Sequence, residues 1–178
     1  MGERIRALLV TSFGLGFMRP APGTWGSIPP ALIAWIMLLR GDSPTLIWTI
    51  VLAVGAAAGL ACATLGGWAE KRFGRKDPSQ IVSDETCGQS LSLVFWPVSW
   101  CASCRVDNWS DWLHNGNFWR ATLSVGGAFI AFRLADIIKP PPARQLEKLP
   151  GGIGVLLDDV AAGLYVAVAV QVVLRLMA

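Results

Sequence analysis

The chain has 178 residues, of which 53% are hydrophobic and only 15% charged, and its mean hydropathy is +0.50. That balance excludes an ordinary soluble domain of this length and points to an integral membrane protein. The net charge of +3 would suggest a nucleic-acid partner only if the basic residues clustered without a membrane explanation, and they have one.

The first apolar stretch, residues 5–18, follows Arg4 and Arg6 like the start of a signal peptide. No small-residue cleavage site follows it and Arg19-Pro20 interrupts it, so it is predicted to be a retained interfacial or re-entrant helix. Residues 20–39 are uncharged but carry Pro20, Pro22, Pro29 and Pro30. Proline suits a first helical turn, so regular helix is expected only from the second pair, over 29–39. Uncharged runs then cover 44–67, 88–104, 121–132 and 160–174. A span needs about 20 mostly apolar residues. The 121–132 run reaches that length only if Arg120 and Arg133 snorkel to the two interfaces. These runs predict spans near 46–66, 88–104, 119–135 and 155–176. The fold class expected is all-α: one domain over 1–178, a polytopic membrane bundle of about five embedded helices plus the N-terminal helix.

Sorted by these spans, Arg4, Arg6, Arg19, Lys71, Arg72, Arg75, Lys76, Lys139, Arg144 and Lys148 share one side, against Arg40, Arg105, Arg120 and Arg175 on the other. The positive-inside rule makes the richer side cytoplasmic. Trp100, Trp109, Trp112 and Trp119 surround the outer loop as an aromatic belt would. Asp77, Asp84, Glu85, Asp136, Asp158 and Asp159 all fall on the cytoplasmic side, at helix ends or in loops. One acid in a first helical turn is an ordinary complement to the helix dipole. Two neighbours diverge by about 100°, so neither Asp84-Glu85 nor Asp158-Asp159 can face one cap. Crowded carboxylates repel unless a cation sits among them. A hard divalent cation such as Mg²⁺ fits, since it takes one or two carboxylates together with waters and phosphate oxygens.

The loops suggest the cation's partner. Lys139 follows Asp136 in a proline-stiffened loop, and Gly151, Gly152 and Gly154 precede the acidic pair at 158–159. A lysine point charge and glycine-exposed amides suit a phosphate. Gly23, Thr24, Gly26 and Ser27 in "APGTWGS" also let backbone approach an oxyanion, although a glycine turn between helices explains each loop equally well. No Lys-Ser/Thr follows the glycines, which excludes a nucleotide P-loop. Cys101 and Cys104 are read as small packing residues at an outer helix end, with a disulfide as the alternative, and Cys62 and Cys87 as packing residues.

Four segments, "APGTWGS" (21–27), "DPSQIVSDETCG" (77–88), "FRLADIIKPPP" (132–142) and "GGIGVLLDDVAAG" (151–163), resemble in order the signature segments of the phosphatidylglycerophosphatase A family. The resemblance implies a Mg²⁺-dependent phosphatase of the bacterial inner membrane that converts phosphatidylglycerophosphate to phosphatidylglycerol and phosphate at the cytoplasmic face. It implies a site of Asp84, Glu85, Asp136, Lys139, Asp158 and Asp159, with Asp77, Thr24 and Arg133 beside them. The roles expected are Asp84, Glu85, Asp158 and Asp159 on the metal, and Asp136, Lys139 and Asp159 in catalysis. Thr24, Arg133, Lys139 and Gly152 are expected on the substrate, with a water attacking. The outer segment 101–118 is longer and richer in Trp than the family pattern. A phospholipid-forming transferase would carry a long Asp-Gly…Ala-Arg…Gly…Asp…Asp pattern, which is absent. A cation transporter would place its acids at mid-membrane rather than at one interface.

Overall fold

The computed structural model describes residues 2–94, 105–106, 115–147, 149 and 151–177, and every regular element among them is helical. The helices are α1 (Glu3–Val10), α2 (Pro22–Arg40), α3 (Pro44–Phe73), α4 (Ser83–Val94), α5 (Gly116–Ile138), α6 (Ala143–Leu146) and α7 (Gly151–Met177). Local chemistry accounts for the boundaries. Ser43 caps α3 by accepting the Leu46 amide at 3.4 Å, with Pro44 in the first turn, and Gly74 closes the helix in the left-handed region at φ 75°. Asn115 caps α5 by accepting the Asn117 amide at 2.9 Å.

Among the described residues, three helices are long and apolar enough to cross a membrane: α3, α5, and α7 over Gly151–Val172. The segments at 29–39 and 88–104 fall differently. The first is the second half of a longer helix. The second begins inside α4, and its residues 95–104, with Cys101 and Cys104, lie outside the described residues. Cys62 and Cys87 are buried free thiols, in keeping with packing roles.

Two expectations for the first forty residues are corrected. The 5–18 stretch is not one helix: α1 ends at Val10, and Ser12, Phe13 and Gly14 take φ of 44°, 61° and 96°, reversing the chain into a 3-10 turn at Leu15–Phe17. Ile5, Leu8, Phe13 and Phe17 stay exposed, as an interfacial segment requires. Nor does helix begin at the second proline pair, because α2 starts at Pro22 and runs through Pro29 and Pro30. A proline deprives the carbonyl four residues earlier of its helical donor. For Pro30 that carbonyl is Gly26, and the Thr86 hydroxyl of α4 replaces the missing donor at 2.7 Å.

Helix α4 is the centre of the bundle. It packs on α2, α3, α5 and α7, and ten of its twelve residues are buried although they include Asp84, Thr86, Gln89, Ser90 and Ser92. So polar a helix can sit inside because glycines let its neighbours approach. A Cβ on Gly88 would stand 2.5 Å from the Asp159 carbonyl oxygen and 2.6 Å from the Phe132 ring, and Gly163 of α7 lies against the Gly88 carbonyl. On α3, Gly55 faces Ser90 and Gly59 faces Cys87. The first turn of α7 rests on the last third of α3, where Gly152 meets Gly66 and the Cys62 carbonyl. These contacts gather the N-terminal turns of α2, α4 and α7 with the C-terminal turns of α3 and α5 at one end of the molecule.

The crossing can be tested with one substitution at two glycines. Gly88→Ala forces a methyl into backbone and should lower stability by about 1–3 kcal/mol. Gly126→Ala on α5, where a Cβ meets nothing within 4 Å, should be neutral or stabilising by up to about 1 kcal/mol. Thermal midpoints of the two variants in detergent check the difference.

Candidate active site

Asp84 and Glu85 occupy the first turn of α4 and Asp159 the third turn of α7. The crossing at Gly88 brings one carboxylate oxygen from each of the three within 4.8 Å of one another. Asp84 and Asp159 are buried. Asp84 Oδ1 and Glu85 Oε2 are enclosed without a hydrogen-bond partner. Burial first, and then the Glu85 charge, push the Asp84 carboxyl well above the ordinary carboxylate range. Burial, and then the charge of Asp159, push Glu85 up to about 8. A buried group of acceptors that no donor satisfies needs protons or a cation. Oxygen-only ligands at this spacing fit a hard divalent ion such as Mg²⁺ or Ca²⁺.

The remaining acids form a second layer. Asp136, near the end of α5, lies within hydrogen-bonding reach of Asp159 and pairs with Arg133 one turn earlier, Nη1 to Oδ2 at 2.9 Å. Arg133 does not snorkel as expected. Its side chain is only 18% exposed, its Nη2 lies 3.0 Å from where a Cβ on Gly23 would stand, and its Nε has no hydrogen-bond partner. Asp136 at i+3 and the missing side chain at Gly23 hold it inward. Lys139 caps α5 with φ 47°, which turns its side chain across to α7. There Nζ donates to Asp158 Oδ2 at 2.6 Å and pairs with Glu147 Oε2 at 3.3 Å. Burial alone would lower the Lys139 pKa, but the hydrogen bond and charge of Asp158 outweigh it and hold the ammonium protonated.

Of the four acids expected on a metal, the structure therefore groups three. Asp158 is turned to Lys139 instead, as the 100° step between helical neighbours requires. Asp77 is an exposed residue at the rim, in left-handed backbone at φ 45°. Gly152 is taken up by the α3–α7 contact rather than by a surface open to substrate. In the 21–27 segment the expectation centres on Thr24, which is half-buried in the first turn of α2. Its neighbour Gly23 is the residue set against Glu85 Oε1 and Arg133. A glycine followed by a hydroxyl in a helix's first turn was the available signal for it.

The sequence profile of the family described as Phosphatidylglycerophosphatase A matches residues 8–174, a range that contains every residue just placed. The chain belongs to the phosphatidylglycerophosphatase A family. A Haemophilus influenzae phosphatidylglycerophosphatase A is 33% identical over 170 residues, covering 92% of this chain and 85% of that protein. The Escherichia coli phosphatidylglycerophosphatase A is 29% identical over 157 residues, 88% of this chain and 76% of its own length. A Bacteroides thetaiotaomicron protein named as a candidate phosphatidylinositol-3-phosphatase is 34% identical over 168 residues, 93% of this chain and 91% of its own. No solved structure matches the chain. For this family member the buried acids carry a pH consequence. Glu85 binds its proton more tightly folded than unfolded, so its contribution to stability is complete below about 4.5, the ordinary glutamate value, and is lost as pH rises through about 8. Without metal, the unfolding midpoint should fall across that window. Added Mg²⁺ should raise the midpoint more at pH 8 than at pH 5, which thermal unfolding in detergent measures.

Proposed function

We propose that this protein is a Mg²⁺-dependent phosphatidylglycerophosphatase of the bacterial inner membrane, hydrolysing phosphatidylglycerophosphate to phosphatidylglycerol and phosphate at the cytoplasmic face. Membership of the family supports the reaction. The observation that carries the site is the triplet of Asp84, Glu85 and Asp159, with the enclosed Asp84 Oδ1 and Glu85 Oε2 unsatisfied, at the end of apolar helices where Arg133 and Lys139 also arrive. The cytoplasmic orientation rests on the lysines and arginines at that end.

Asp84, Glu85 and Asp159 would hold the ion. A divalent cation bound there neutralises phosphate charge and lowers the pKa of a water. Arg133 would supply a planar, bidentate positive charge to the phosphoryl oxygens, a geometry arginine satisfies and lysine does not. Lys139, steered by Asp158, adds a second positive charge from the α5–α6 side. Asp136 stands where it can accept a proton from the attacking water. The water oxygen bonds to phosphorus, the phosphorus–oxygen bond to glycerol breaks, and the proton passes to the departing glycerol oxygen. Thr24 lines the approach from α2.

The Bacteroides relative's name directs attention to a second lipid phosphomonoester, phosphatidylinositol 3-phosphate, whose phosphate sits on a ring hydroxyl rather than on a primary alcohol. Phosphate release by purified protein in mixed micelles separates the readings. Phosphatidylglycerophosphate should be hydrolysed with Mg²⁺ and not with EDTA, and faster than phosphatidic acid or phosphatidylinositol 3-phosphate. Arg133→Lys should lower kcat/KM by about tenfold or more. Faster release from phosphatidylinositol 3-phosphate would reassign the substrate, and release undiminished by EDTA would remove the metal.

A further inference from the structure

Thr86 follows Glu85 directly and is buried. Its Oγ1 stands 2.7 Å from the Gly26 carbonyl of α2, 3.0 Å from the Val82 carbonyl and 2.8 Å from the Ser12 hydroxyl. A threonine hydroxyl has one proton to give. Gly26 is both the nearest acceptor and the carbonyl that Pro30 leaves without a helical donor, so the proton belongs there. Ser12 then donates its own proton to Thr86 Oγ1. The result is a chain of donors, Ser12 to Thr86 to Gly26, joining three separate stretches of sequence.

The backbone around Ser12 is shaped to make that chain. Ser12 and Phe13 hold φ of 44° and 61°, values that non-glycine residues adopt rarely and at a cost. The turn is fixed from behind: Thr11 Oγ1 accepts the Gly14 amide at 3.0 Å and donates to the Ala7 carbonyl at 2.7 Å. The N-terminal segment is also tied to the approach to α4, where the Val82 amide donates to the Val10 carbonyl at 3.0 Å. Gly26 in turn lies one helical turn beyond Gly23, the residue pressed against Glu85 and Arg133. There is no slack at Gly26, since a Cβ there would stand 2.6 Å from Val82 Cβ.

We infer that Thr86 is a positioning residue for the active site. Through Gly26 it sets the first turn of a proline-weakened α2, and with it Gly23, against Glu85 and Arg133, and Ser12 aims its hydroxyl. This rests on the reading of the site as a phosphatase centre, but its structural half does not depend on any substrate.

Thr86→Val keeps the shape and removes the donor, Thr86→Ser keeps the donor, and Ser12→Ala removes only the upstream link. Amide hydrogen exchange of the full chain in detergent reads residues 21–28, and phosphate release from phosphatidylglycerophosphate reads kcat and KM. Thr86→Val should speed exchange at 21–28 by about five- to tenfold, the equivalent of one lost hydrogen bond. It should also lower kcat by about tenfold or more with KM within about threefold. Thr86→Ser should restore both, and Ser12→Ala should fall between. The inference is overturned if Thr86→Val leaves exchange at 21–28 unchanged, if exchange rises while kcat stays, or if Thr86→Ser is as impaired as Thr86→Val. Should Thr86→Val fail to fold, Ser12→Ala decides by the same two readouts. A wild-type protein that releases no phosphate from this lipid would instead defeat the proposed reaction and leave the exchange result standing on its own.

Discussion

The crossing of α4 and α7 at Gly88 and Gly163 governs the molecule. Backbone meets backbone there, and Asp84 and Glu85 are carried to Asp159, far away in sequence. Bringing Asp84, Glu85 and Asp159 together in this way works against folding, since each carboxylate is desolvated and each repels the others. The apolar contacts of α3, α5 and α7 and the small residues that permit them must supply the compensating stability. The same expense is one that a divalent ion could offset, since an arrangement that is unfavourable empty becomes favourable when a cation satisfies the oxygens.

Around that triplet each cation is held by acidic partners. Arg133 gives one nitrogen to Asp136 and keeps its Nε without a partner. Lys139 bridges Asp158 and Glu147, so its position is set from two sides. Both cations come from the last turns of α5 and both are steered by an acid, which makes their placement a property of the fold rather than of flexible side chains. Preorganised positive charge is what transfer of a phosphoryl group to water requires.

Much of this was legible in the sequence. The charge asymmetry and the four signature segments bring Asp84, Glu85, Asp136, Lys139, Asp158 and Asp159 to one end of the bundle, and the structure places them there. Sequence position could not reveal the direction in which each side chain turns. Asp158 and Asp159 are adjacent, yet one faces Lys139 and the other faces α4. Arg133, at the edge of an apolar run, reads as a snorkelling residue, and only the space left by Gly23 shows why it turns inward. The prolines of α2 read as helix breakers, since the donor that repairs the helix lies sixty residues away on α4. Long-range satisfaction of a local defect leaves no local signature.

The most direct measurement of the central claim pairs thermal midpoint with turnover for Asp84→Asn and Asp159→Asn, each with and without Mg²⁺. Neutralising one of several crowded carboxylates removes repulsion, so the metal-free midpoint should stay level or rise while turnover falls by roughly 100-fold or more. The stabilisation that Mg²⁺ gives the wild type should shrink in both variants. A metal-free midpoint that drops in both variants while turnover in the folded protein persists would make these acids structural and place the chemistry elsewhere.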